Sequence, residues 1–335
     1  MSFRKKQEVG DPEGGSMGLS VTAMLDMLDD DERSFAQALL RQAPAPPYSQ
    51  YGVAGMRSLF DTVAAAPPMR PVHGVEERTI DSPAGPLRVR CYRPSASLDL
   101  PVVLYMHGGG FVVGTLNGVD DLCRSLCIEA ECVVISVEYR RAPEHAFPAA
   151  ADDCLWTYEW VQREAVSLGV DPSRIALAGD SAGGNLALSI CTALAEAHRP
   201  MPRSLVLAYP STSNVHAGPS WDAFEHAPVL CKADALWFWS NYTVNSGADR
   251  DPRAVPILSN TLHALPPTLL VAAEVDILRS DYEEFAAVAL RAGAEIEVRR
   301  YHGVLHGFFT EVATIEKARR AAADAAHHLR THFGH

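Results

Sequence analysis

Between Leu100 and Tyr301 the chain repeats one texture: a short apolar run, then a stretch with helical pattern. "PVVLYMH", "CVVISVEY", "RIALAG", "SLVLAYP" and "TLLVAAE" are rich in Val, Leu and Ile and hardly alternate. A strand apolar at nearly every position is buried on both faces, and the helices between such strands supply the covering layers. The expected class is α/β, with a mostly parallel central sheet flanked by helices. "EIEVRRY" alternates and carries charge, as an edge strand should. Upstream, "EERTID" and "GPLRVRCYRP" read as two antiparallel strands joined at the turn "SPAG".

Two regions break that rhythm. From about Val21 to Pro71 the pattern is helical, with breaks at "APAPP" and "AAPPMR". The segment from Ser211 to Pro256 holds the aromatic cluster "LWFWSNY" and sits where an insertion above the strands' C-terminal ends could lie. Residues 1–18 begin basic but lead into no apolar h-region, so they are not a secretory signal; they read as a disordered or non-native lead, with Met17 as an alternative start.

A chain of 335 residues builds a core without disulfides or metal. Its net charge of -12 argues against nucleic acid, which needs clustered Lys and Arg. No apolar run reaches the roughly 18 residues that would span a membrane. Seven cysteines, an odd number without a signal peptide, point to reduced thiols in a cytoplasm. Cys123, Cys127 and Cys132 lack a CxxC pair and lie where helix runs into strand, so they read as buried thiols rather than a metal site.

Ligands of such sheets bind beyond the carboxyl ends of the strands, which makes the residues just after each apolar run the informative ones. Gly179-Asp180-Ser181-Ala182-Gly183 fits G-x-S-x-G between a strand and a helix beginning near Ala182. This turn lifts a serine hydroxyl clear of the sheet; the competing readings are an N-cap serine or a phosphate-binding Gly turn. No P-loop lysine and no G-x-G-x-x-G support the phosphate reading. A serine nucleophile needs a base, an acid to orient that base, and N–H donors for the oxyanion.

"YMHGGGF" supplies Gly108 and Gly109 as donors, joined by the Ala182 N–H, with His107 anchoring the loop. "TLLVAAEVDILRS" offers Asp276 as the acid, ahead of Glu274 and of Asp281 in the following helix. "EVRRYHGVLHGFF" offers His306, between Gly303 and Gly307, with His302 as its competitor. The order Ser…Asp…His is that of α/β-hydrolases.

Taken together, "HGGGF", "YRRAPEHAFPAA", "GDSAGGN", the acid of "EVDIL" and "HGF" resemble the hormone-sensitive-lipase-like α/β-hydrolases, from about residue 75 to the C-terminus. The resemblance implies Ser181 as nucleophile, His306 as base, Asp276 as its orienter, and an oxyanion hole of Gly108, Gly109 and Ala182. It implies a helical cap from residues 19–70 plus the insertion at about 211–256, on a catalytic domain of 71–335. It gives Glu144 a structural role supporting the loops. It also implies short- to medium-chain acyl esters as substrates, no cofactor, and compatibility with a homodimer. The chain departs from the family at "DILRSDY", where D-P-L-R-D-E-G is common, and at Arg141, where leucine is usual.

Trp237, Phe238, Trp239 and Tyr242 are expected mostly to pack, with one or two lining a pocket. Met24, Leu25 and Leu28 are expected on its other wall. The acid run Asp29 to Glu32 reads as a solvated face. A non-catalytic receptor on the same fold, and an amidase or deacetylase of an acylated metabolite, are the alternative functions; all three triad positions carry competent residues, which disfavours the receptor.

Overall fold

Eight strands make one sheet in the computed structural model, which describes residues 18–42, 46–63 and 70–334. They are β1 (Gly74–Ser82), β2 (Gly85–Arg93), β3 (Leu100–Met106), β4 (Val133–Glu138), β5 (Val170–Asp180), β6 (Leu205–Ala208), β7 (Thr268–Val275) and β8 (Ile296–Leu305). Their order in space is β1-β2-β4-β3-β5-β6-β7-β8. The hairpin β1–β2 is antiparallel and joins antiparallel to β4; every other pairing is parallel. The residues Val102 to Met106 and Leu205 to Ala208 are all fully buried, which is why their runs show no alternation. All but Gly18 of the lead expected at 1–18, and most of the two proline-rich breaks, lie outside the described residues.

Eleven helices accompany the sheet among the described residues: α1 (Val21–Asp26), α2 (Asp30–Gln42), α3 (Gly52–Val63), α4 (Asp120–Glu129), α5 (Ala149–Arg163), α6 (Ala165–Leu168), α7 (Ala182–Glu196), α8 (Pro219–Ala223), α9 (Lys232–Tyr242), α10 (Arg279–Ala292) and α11 (Glu316–Phe333). The helix α7 is small-residued and buried almost all round, since it packs on β3, β5 and β6 and against α5. Cys123 and Cys127 lie on α4 and Cys132 just before β4, and all seven cysteines are buried and unpaired.

β8 is the edge strand that its charged alternation predicted. Its charges are matched within the chain: Arg299 pairs with Asp324 at 2.8 Å and with Glu297, and Arg300 pairs with Glu283. Such matching blunts an edge that would otherwise template another strand.

The acid run does not form a solvated face. Asp30 alone is fully solvated. Asp29 pairs with Lys317 at 2.5 Å and donates its N–H to Gly303 O at 3.0 Å, while Asp31 accepts the Glu316 N–H at the start of α11. Glu32 is 1% exposed and accepts the Leu305 N–H at 3.2 Å. Burial pushes its carboxyl up to about 8. A charge run predicts solvent only when no neighbouring element needs its acceptors; here the end of β8 does.

Candidate active site

β5 ends at Asp180 and α7 begins at Ala182, so Ser181 stands alone in the turn. Its φ of 53 and ψ of -116 lie in a region that L residues rarely adopt. The strain is held by the packing around it: the Ser181 N–H donates to Ala208 O at 2.8 Å, and a side chain at Gly183 would overlap the Met106 carbonyl. The hydroxyl makes no capping bond to α7, which removes the N-cap reading. Instead Oγ lies 3.0 Å from His306 Nε2.

His306 follows β8 directly, and its Nδ1 lies 2.8 Å from Asp276 Oδ2. Asp276, one residue past β7, is fully buried, and its other oxygen accepts the Leu278 N–H at 2.9 Å. A buried carboxylate can only accept, so it places the imidazole proton on Nδ1 and leaves the Nε2 lone pair facing Ser181. Tyr209, just after β6, packs its ring 4.6 Å from that of His306 and accepts the Phe309 N–H through its hydroxyl. Nothing in the sequence marked Tyr209.

The competing residues are placed elsewhere, together. Glu274 Oε1 lies 3.0 Å from His302 Nδ1, and its other oxygen accepts the Gly303 N–H at 2.7 Å. Asp281 accepts the Trp221 indole N–H at 3.0 Å, and burial pushes it up to about 7.

The glycine loop follows β3. Its histidine serves as an anchor: His107 is buried, stacks on Tyr139 at 4.3 Å, donates from Nδ1 to Gly108 O, and is held down at about 4 by burial. The Gly108 N–H is not free, contrary to expectation. It donates to Asp180 Oδ1 at 3.0 Å, beside the Tyr105 hydroxyl at 2.7 Å. The N–H groups of Gly109, Gly110 and Ala182 make no hydrogen bond within the described residues. Gly110 has a positive φ of 56, and a side chain there would run into Phe238. The signal for Asp180 was its place inside G-x-S-x-G, but its partner lies 72 residues away and is invisible to local pattern.

These groups open into a cavity of about 330 Å³. Of the aromatic cluster, Phe238 and Trp239 line it, while Tyr242 is buried and stacks on Phe111 at 3.6 Å. The opposite wall comes from α2 and α3, through Phe35, Leu39, Met56 and Leu59, and not from Met24, Leu25 and Leu28. Those earlier residues pack into or against the core. The N-terminal and inserted segments are joined by Asp234, whose carboxylate accepts the N–H groups of Tyr48 at 3.2 Å and Ser49 at 2.7 Å. Glu144 forms a two-pronged pair with Arg57 on α3, at 2.8 and 2.7 Å, and that guanidinium holds its carboxyl down at about 2. Arg57 also reaches the carbonyls of Val112 and Ala142, so Glu144 fastens α3 over the glycine loop. Arg141 donates to Gly114 O at 3.0 Å in the same loop.

A family model for the alpha/beta hydrolase fold matches residues 103–310. The chain is 35% identical over 274 residues to the carboxylic ester hydrolase LipN of Mycobacterium tuberculosis, across 77% of this chain and 73% of that protein. Against the ethyl acetate hydrolase of Pseudomonas putida it is 35% identical over 252 residues, across 74% and 79%. The solved structure of a hyperthermophilic esterase from the archaeon Pyrobaculum calidifontis matches with a TM-score of 0.85 at 34% identity, covering 91% of this chain and 98% of that one.

Proposed function

This chain belongs to the hormone-sensitive-lipase-like family of α/β-hydrolases and is a serine carboxylesterase, and we propose that Ser181 is its nucleophile, His306 its general base and then acid, and Asp276 the group that orients His306. The observation that carries the assignment is the unbroken line Asp276 Oδ2, His306 Nδ1, His306 Nε2, Ser181 Oγ, with both gaps at hydrogen-bond distance. Ser181 Oγ attacks the ester carbonyl and gives its proton to Nε2. The Gly109, Gly110 and Ala182 N–H groups, without partners among the described residues, receive the oxyanion. His306 then protonates the leaving alcohol, giving an acyl-enzyme, and afterwards takes a proton from water to release the acid. Gly108 holds Asp180 and keeps the loop in place.

The helices of 19–70 and the insertion at about 211–256 act as a two-part cap that closes the cavity. At about 330 Å³ the cavity lies near the lower limit of ligand pockets, about 300 Å³, which favours short to medium acyl groups. No described helix is long and apolar enough to cross a membrane. Seven buried, unpaired thiols suit a reducing compartment, the cytoplasm.

Initial rates on p-nitrophenyl esters from acetate to palmitate, with Ser181→Ala alongside, test this reading. Rates are expected to peak at short to medium chain length and to collapse in the variant. Turnover that survives Ser181→Ala would remove Ser181 from the mechanism; none on any ester would favour a receptor.

A further inference from the structure

The cavity beside Ser181 has carboxylates in its wall but no lysine or arginine among the described residues. Burial lowers His107 and His216, the histidines of the wall other than His306, so neither supplies a positive charge at neutral pH. Asp120, Asp121, Asp180, Asp234 and Glu311 all line it. Four of these are held by the protein. Asp120 pairs with Arg90 and Arg124, Asp121 accepts the Arg70 N–H, Asp180 accepts from Tyr105 and Gly108, and Asp234 accepts from Tyr48 and Ser49.

Glu311 differs from them. Among the described residues its carboxylate meets no cation and no backbone N–H; the Thr314 hydroxyl lies beside it and donates to the Glu311 carbonyl oxygen at 3.4 Å. It lies five residues past His306, and its field reaches Tyr209, the ring packed against His306. Glu32, a second carboxyl without a counter-charge, stands close enough for a charge on Glu311 to raise the cost of ionising it. Tyr48, Trp221, Phe238 and Trp239 bring aromatic rings to the same cavity. A cation is drawn both to an unpaired carboxylate and to aromatic faces, whereas an anionic group away from the oxyanion N–H groups finds no cationic side chain in the wall among the described residues.

We propose that this site selects esters carrying a cationic group, an ammonium or quaternary ammonium, which pairs with Glu311 while the ester carbonyl lies at Ser181. The proposal rests on the reading of Ser181 as nucleophile and names the class of substrate for that same site. Burial pushes Glu311 up to about 7, so assays at pH 8 find it charged.

Two matched pairs of esters differ only in nitrogen against carbon. Butyrylcholine and 3,3-dimethylbutyl butyrate carry the difference on the alcohol; ethyl 4-trimethylammoniobutanoate and ethyl 5,5-dimethylhexanoate carry it on the acyl group. In at least one pair, kcat/KM is expected to favour the cation by about tenfold, the scale of a partly desolvated ion pair. Glu311→Gln, of the same shape, is expected to bring that ratio to within about twofold of one. A wild-type ratio near one in both pairs overturns the proposal and leaves the esterase standing. So does a cationic preference that persists in Glu311→Gln. Absence of turnover on all four esters, from protein that melts cooperatively, counts instead against Ser181 as nucleophile and takes this proposal with it.

Discussion

Two acid–histidine pairs stand on the same two segments of this protein. Asp276 with His306 and Glu274 with His302 both join the end of β7 to the end of β8, at 2.8 and 3.0 Å. Distance does not separate them; burial and aim do. The first pair has side chains 0% and 10% exposed and looks at Ser181, whereas His302 is 69% exposed and looks at solvent. A desolvated carboxylate fixes a tautomer and steadies an imidazolium, while an exposed one contributes little. What separates a common surface contact from a buried line to Ser181 is the step from Glu274 on β7 to Asp276 just past its end, which carries the acid inside.

The sharpest break of that comparison is to exchange losses between the pairs. His306→Ala is expected to lower kcat by about a millionfold and Asp276→Asn by about ten-thousandfold, since the amide holds the wrong tautomer. His302→Ala should leave kcat/KM within about twofold. Steady-state kinetics on one p-nitrophenyl ester reads all three, and a His302→Ala loss beyond a hundredfold would mean that the outer pair has been misjudged.

A smaller effect sharpens it. Glu32 grips the Leu305 N–H, next to His306. Glu32→Ala leaves that buried N–H without an acceptor, a loss of about 1–3 kcal/mol. Part of it should appear as a kcat several-fold lower at unchanged KM, with Glu32→Gln recovering most of it. Equal kcat in Glu32→Ala and wild type would show that the grip does not reach His306.

The smallest expected effect is on stability against pH. Folded Glu32 holds its proton up to about pH 8, while the unfolded chain releases it in the ordinary carboxyl range. Its contribution is therefore full below that range and is lost as pH rises toward 8. Glu311 and Asp281, both raised to about 7, act in the same direction. Glu144, held at about 2, contributes fully above the ordinary carboxyl range and loses that contribution only in acid, so it adds no slope between pH 5 and pH 8. Thermal melts should drop between pH 5 and pH 8, and Glu32→Gln should narrow that drop; an equal drop in both would place the titration elsewhere.

The sheet and the residues proposed to react were legible because each is announced locally. Val102 to Met106 declare a doubly buried strand by lacking alternation, and Ser181, Asp276 and His306 each sit one step beyond a strand, the last of them beyond the alternating edge strand β8. The sequence set Asp276 ahead of Glu274 although its place before a helix also suits an ordinary helix-start acid, and the structure puts its carboxylate 2.8 Å from His306. What was not legible depends on partners far away in the chain. Gly108 looked like a free donor because Asp180, its acceptor, is 72 residues distant. Glu32 looked like one more surface acid because Leu305, which it serves, is 273 residues distant. The pocket wall shifted from α1 to α2 and α3 for the same reason: helical pattern shows which residues turn inward, not what they meet.

Helix α2 lends Phe35 and Leu39 to the cavity wall and Glu32 to the backbone beside His306. For anyone reshaping this enzyme, fit and turnover are therefore geared to one shaft. A library that carves room by shifting α2 will also loosen His306, the proposed base, so its variants should fall along a line that trades breadth against rate. Enlarging the cavity from Phe238 and Trp239, on the far wall, offers the route off that line.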